Sequence, residues 1–239
     1  MIKIVTYATH SQGMFDELVN NKFGIKIDVV GWGEQWRGYK GKLEKIYEYI
    51  NNLQGDDIII VVDGFDSKII KPLDEIEKRF LEMNCKILCS IESEILKRVK
   101  LKVFTSCRND QILNAGLYMG YVKYLKPILN DALKMNCKDD QRALNILCKK
   151  YQYIKIDTDE IIFSNKNNNN ACILGFPGSP SINRIIIRGV KEYSQFFIFE
   201  YIILMFIIMT FFPKKNIFIF FFIFSLFLYI YIDKSCITF

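Results

Sequence analysis

Asp63 and Asp66 stand three residues apart where an unbroken apolar run, Ile58 to Val62, comes to an end in the stretch DIIIVVDGFDSKII. At the C-terminal end of a strand in an open α/β sheet, side chains face the crevice where such sheets bind ligands. Two carboxylates at i and i+3 across a glycine-containing turn offer hard oxygens to one cation, Mg2+ or Mn2+, which bridges in turn to a diphosphate. The same spacing also closes a strand as an Asx-type turn, so the pair alone leaves both readings open. Asp139 and Asp140 open the segment DDQRALNILCKKY, where acids either face a reactant or complement the helix dipole. Trp36, within GWGEQWRGYKG, presents a face for a stacked base or fills a core. Lys42 either neutralises phosphate or is a solvated surface lysine.

The elements that must hold these groups are legible from periodicity. Ile2–Thr6, 25–30, Ile58–Val62 and 86–90 read as strands. KLEKIYEYINNL repeats its apolar residues at helical spacing, with Leu43, Ile46, Tyr47, Ile50 and Leu53 on one face. Residues 73–84, 126–136 and 139–151 read as helices, LNAGLYMGYVKYL as a strand rich in small residues, and IKIDTDEIIF as two short strands, whereas the segment from 91 to 112 is ambiguous. Strands alternating with helices predict an α/β sheet, parallel for at least its first half.

Four motifs in order, GWGEQWRGYKGK, DGFD after an apolar strand, LNAG and KDDQ, resemble the glycosyltransferase domain of procollagen-lysine hydroxylases and the related collagen glycosyltransferases, a group with diverged relatives in large DNA viruses. The resemblance runs from Ile2 to about Asp157. It implies a GT-A-like (Rossmann-like) mixed sheet flanked by helices, a UDP-sugar donor carrying glucose or galactose, Mn2+ (or Mg2+), and transfer to a hydroxyl on a protein or glycan acceptor. By the same resemblance Asp63 and Asp66 hold the metal and diphosphate, and Trp36, Lys42 and the backbone at Thr6 and Ala8 contact the donor. Asn114, with Ala115 and Gly116, lines the sugar pocket, while Asp139, Asp140 and Gln141 face the transferred sugar. One departure stands out. The family places a histidine late in the domain as a third metal ligand, and the matching stretch here is GFPGSPS, 175–181. The chain's only histidine is His10, read as a loop residue. The departure supports a second reading, a non-catalytic membrane-tethered module that keeps the nucleotide-sugar fold.

Phe196 marks a change of texture. Residues 196–212 and 216–232 are two apolar runs separated by PKKN. Twelve Leu, Ile or Phe residues in the first run contribute about −4 to −7 kcal/mol toward insertion, against at most about 3 from Glu200. The reading is residues 1–195 as the glycosyltransferase-like domain and 196–239 as a C-terminal transmembrane helical hairpin in contact with membrane lipid. Lys214 and Lys215 favour a cytosolic turn; Arg184, Arg188 and Lys191 favour a cytoplasmic-facing catalytic domain, and MIKIVTYATH has no signal-peptide core. The second orientation is the one expected.

Composition narrows the alternatives. The net charge of +6 is spread among acidic residues, without the basic stripe and interleaved aromatics that bind nucleic acid. Seven cysteines at irregular spacing predict reduced thiols. No GxGxxG follows the first strand, which argues against a dinucleotide enzyme.

Overall fold

The computed structural model describes residues 1–137 and 139–176, together with the isolated positions 200, 203 and 207. Met1–Ser179 is one unit and Pro180–Phe239 a second. The predicted boundary at 195 and, apart from positions 200, 203 and 207, the predicted spans 196–212 and 216–232 fall outside the described residues. Among the described residues, no helix is long and apolar enough to cross a membrane.

In chain order the elements are β1 (Ile2–Tyr7), α1 (Phe15–Val19), β2 (Ile27–Val30), α2 (Gly38–Asn51), β3 (Ile58–Asp63), β4 (Ser67–Ile69), α3 (Leu73–Glu82), β5 (Ile87–Ile91), α4 (Lys97–Phe104), β6 (Leu113–Tyr121), α5 (Val122–Lys134), α6 (Asp140–Lys150), β7 (Ile154–Asp157), β8 (Phe163–Ser164) and β9 (Ile173–Gly175). The main sheet is Rossmann-like and mixed, in the order β2-β1-β3-β6-β5-β7, and β4-β9-β8 form a second, small sheet. β2, β1 and β3 are mutually parallel, β6 is antiparallel to both its neighbours, and β7 is parallel to β5.

Strand β3 is continuously apolar because it is covered on both faces. Ile58, Ile60 and Val62 join Ile4, Leu117 and Met119 in a core closed by Ile76 and Phe80 of α3 and by Phe163 and Ile173 of the small sheet. The alternate residues Val5, Ile59 and Val61 are equally buried and so line the opposite face, where α2 contacts β1, and α5 and α6 contact β6.

Several elements depart from the sequence reading for local reasons. LNAGLYMGYVKYL does not continue as a strand. Its last residues begin α5, whose first amides, Val122 N and Lys123 N, donate to the carbonyls of Asp57 and Gly55, both at 2.9 Å. The ambiguous segment contains α4. Helix α2 begins at Gly38, one turn earlier than its apolar pattern indicates, so Lys42 belongs to its buried stripe with Ile46 and Ile50. The reduced-thiol expectation is corrected for one pair. The loop after α4 and helix α6 bring Cys107 and Cys148 together as a disulfide, Cα–Cα 5.2 Å across 41 residues, a long-range pairing that spacing does not reveal. Cys85, Cys89 and Cys172 are free.

The turn from β7 to β8 is held by one side chain. Asp157 accepts from Ile161 N at 3.0 Å and from Ile162 N and Phe163 N, both at 2.8 Å. Replacing Asp157 with Ala strands these amides, two of which are buried. The expected cost is on the order of 3 kcal/mol, measured as a lower denaturant midpoint with an unchanged slope.

Candidate active site

Since β6 runs antiparallel to both β3 and β5, those two strands end on the same edge of the sheet, where β6 begins. Asp63 is the last residue of β3, Glu92 lies one residue beyond β5, and Asn114 is the second residue of β6. The ladder between β5 and β6 skips here: Cys89 pairs with Tyr118 and the next residue, Ser90, with Asn114. Ala115, Gly116 and Leu117 are therefore extra to that ladder, a bulge of the sort that re-aims residues beside active sites.

Lys42 enters from α2 and meets this edge. Its ammonium lies 2.6 Å from Asp63 Oδ1, 3.2 Å from Asp140 Oδ2 and 3.2 Å from the Ala115 carbonyl. Lys42 is 5% exposed and Asp140 6%, so neither is the solvated surface charge that the residues alone allow. Burial disfavours the charged lysine, but the fields of Asp63 and Asp140 outweigh it and hold its pKa well above the ordinary value. Burial raises the carboxyl of Asp140, and the negative charge of Asp63 adds to this against the pull of Lys42. An ammonium has three protons, and all three are placed on protein acceptors. Lys42 thus acts as the internal counter-ion of two carboxylates.

Asp63 owes its position to a missing side chain. A Cβ on Gly116 would stand 2.4 Å from Asp63 Oδ2 and 2.9 Å from Asn114 Oδ1. A Cβ on Gly64 would in turn meet Thr6 Oγ1 at 2.9 Å, so the glycine of the DGFD turn lies directly against β1. That turn is tied down twice: Met14 N donates to the Phe65 carbonyl at 2.9 Å, and Phe176 N to the Asp66 carbonyl at 2.7 Å. Asp66 is half-buried.

A second carboxylate centre lies beside the first and escaped the sequence reading. Glu92 Oε2 accepts from Asn114 Nδ2 at 2.7 Å and Gln141 Nε2 at 2.9 Å, while Oε1 accepts from Lys100 Nζ at 2.8 Å. Burial pushes the Glu92 carboxyl up, but the Lys100 ammonium and the two amides overcome this and hold it below the usual range. The signal was available: ILCSIE, like IIIVVD, is an apolar strand that runs into an acid.

Other predicted residues are placed differently. Asp139 is the N-cap of α6, its Oδ1 accepting from Arg142 N at 2.7 Å, as its alternative helix-terminal reading expects. The Thr6 side chain is fully buried and donates to the Val62 carbonyl at 2.8 Å, whereas the contact expected of Thr6 is through its backbone. Trp36 is 51% exposed and so not a core residue. Its ring lies 5.4 Å from that of Tyr7 and 5.7 Å, edge-on, from that of Tyr39, and Tyr7 is the register partner of Asp63. His10 is exposed, hydrogen-bonded to Thr9 and Gln12, with its ring 5.5 Å from Phe65. The hydroxyls of Tyr7 and Tyr118 are buried without a hydrogen-bond partner among the described residues.

The C-terminal edge of the parallel strands of a Rossmann-like sheet, where α/β folds bind their ligands, here carries paired carboxylates with an aromatic flank. Residues 1–174 match the family model described as PLOD GT domain, and the chain belongs to that family of glycosyltransferase-type domains. It is 25% identical over 195 residues to procollagen-lysine,2-oxoglutarate 5-dioxygenase 2 of Mus musculus, covering 69% of this chain and 26% of that protein. The Drosophila melanogaster procollagen-lysine,2-oxoglutarate 5-dioxygenase is 26% identical over 184 residues, covering 69% and 25%. The chain thus spans about a quarter of the length of these relatives.

Lys42→Met leaves Asp140 buried without its cation, a loss on the order of 3–5 kcal/mol, whereas Lys42→Met combined with Asp140→Leu is expected to recover most of it. Urea denaturation of the two variants decides this.

Proposed function

We propose that this chain is a membrane-anchored, GT-A-like glycosyltransferase that moves a hexose, glucose or galactose, from a UDP-sugar to an acceptor hydroxyl on a protein or glycan. The convergence of Asp63, Lys42 and Asp140 with Asn114, Gln141 and Glu92 at one sheet edge carries the reading. Asp63 and Asp66 fit a hard divalent cation, Mn2+ or Mg2+: they are oxygen donors on a fixed turn. Among the described residues no cluster of three His, Cys, Asp or Glu forms an all-protein cage, which suits an ion that completes its shell with diphosphate and water. Bound there, the cation would supply neutralisation of the charge that develops on the leaving diphosphate.

The chain's own residues do the rest. Lys42 fixes the Asp63 carboxylate without spending its charge on the ligand. The half-exposed ring of Trp36 offers uracil a stacking face, backed by Tyr7. Asn114, Gln141 and Glu92 supply hydrogen-bonding groups of fixed orientation on the sugar side, next to the buried Asp140. The apolar runs 196–212 and 216–232 anchor the chain in a membrane with the catalytic unit facing the cytoplasm.

One observation favours the alternative, a tethered module that has lost catalysis. The 2.6 Å ion pair between Lys42 and Asp63 already satisfies a carboxylate that a metal would use. Calorimetric titration of the full chain with UDP and Mn2+ separates the readings, because absence of binding at millimolar concentration supports the module. For the enzyme, Asp63→Ala and Asp66→Ala are each expected to lower UDP-sugar consumption by about 100-fold or more. Equal turnover in wild type and both variants would remove the metal-site argument.

A further inference from the structure

Glu92 is nearly inaccessible, at 7% exposure, and touches both amide side chains that line the sugar side of the site. Oriented amides need an unambiguous partner, since each presents an oxygen on one side and an NH2 on the other. An ionised carboxylate accepts and cannot donate. With Glu92 charged, Asn114 and Gln141 must both turn their NH2 groups toward Oε2, as they do. The Asn114 oxygen is then free to accept from Gly116 N at 2.8 Å, and Gly116 is the residue against which the Asp63 carboxylate is seated. A neutral Glu92 would carry an O–H donor, and one amide would have to reverse.

The group that secures this charge comes from a separate element. Lys100, in the first turn of α4, donates to Glu92 Oε1 at 2.8 Å, to the Ser93 hydroxyl at 2.5 Å and to the Ser93 carbonyl at 3.2 Å. The remaining groups on Glu92 are uncharged: Asn114 from β6, Gln141 from α6, and its neighbour Ser93 N at 2.9 Å. The nearby Glu94 is paired with Lys97 at 3.0 Å. Lys100 is therefore the one cation paired with Glu92 among the described residues. Helix α4 is itself fastened to α6, with Arg142 Nη1 donating to the carbonyls of Val103 at 2.5 Å and Lys102 at 3.3 Å.

We propose that Lys100 is a positioning residue for sugar transfer: by holding Glu92 as an acceptor-only carboxylate, it sets the orientation of the Asn114 and Gln141 amides. The inference rests on the glycosyltransferase reading of the site, and it extends that reading to a helix that contributes no group to the site directly. Burial alone would hold Glu92 neutral into a higher pH range, so the lysine decides where the carboxyl titrates.

The test uses the full chain in detergent, as wild type, Lys100→Met and Lys100→Arg. Two quantities are measured: the Glu92 carboxyl titration, by 13C NMR with Glu92→Gln as the assignment control, and the pH profile of UDP-sugar consumption. Lys100→Met is expected to raise the Glu92 titration by about one to three pH units. The acid limb of kcat/KM moves up with it, and kcat falls more than KM rises. Lys100→Arg keeps the wild-type limb, and UDP affinity at neutral pH stays within about twofold, as expected of a group acting on the sugar side. A Glu92 titration unchanged in Lys100→Met overturns the proposal, as does an acid limb that stays in place while the carboxyl moves. A wild-type protein that consumes no UDP-sugar defeats the glycosyltransferase reading instead, and the carboxyl titration then decides the role of Lys100 by itself.

Discussion

One buried ammonium shared by two carboxylates is the constraint around which this site is built. Lys42 cannot be solvated, so its charge has to be balanced within the protein. It is balanced by groups from separate parts of the chain: Asp63 at the end of β3, Asp140 in the first turn of α6 and the carbonyl of Ala115 in β6. If any of these elements shifts by a residue, a charge is left buried and unpaired. The early start of α2 follows from the same requirement, because it puts Lys42 on the stripe that faces the sheet.

The sheet supplies the rest of the geometry through direction. Reversing a single central strand, β6, makes the ends of β3 and β5 coincide with the beginning of β6. The two acids that terminate apolar strands thereby meet the asparagine that opens a third. The bulge at 115–117 then allows the β6 backbone to approach Asp63, and only a glycine fits at the closest point. The small sheet formed by β4, β8 and β9 has a supporting part: it pins the DGFD turn through Phe176 and the Asp66 carbonyl.

The local content of this arrangement could be read from the sequence, while its long-range content could not. Strands β1, β3 and β5 and helix α6 follow from apolar patterning, and Asp63, Asp140, Asn114 and Gln141 follow from motif order. The disulfide between Cys107 and Cys148 and the pairing of β4 with β9 depend on partners far away in the chain, so no period or spacing encodes them. Glu92 is an intermediate case. Its signal, an acid just after an apolar strand, matches that of Asp63, but no second carboxylate stands three residues on to draw attention to it. Thr6 and Asp139 are motif residues whose side chains the fold commits elsewhere, one to a neighbouring strand and the other to a helix cap. Motif position did not distinguish Asp139 from Asp140; burial did.

The two lysines divide the pocket electrically. Lys100 neutralises Glu92 one to one, and the two amides complete that carboxylate's hydrogen bonds, so the Glu92 side is satisfied and without net charge. Lys42 is shared between Asp63 and Asp140, two carboxylates to one cation. Carboxylates therefore outnumber their cation at the Asp63–Asp140 pair and not at Glu92. In a pocket of low dielectric such a difference is not screened away. The two ends of the site therefore differ in how each lysine is shared, before any ligand arrives.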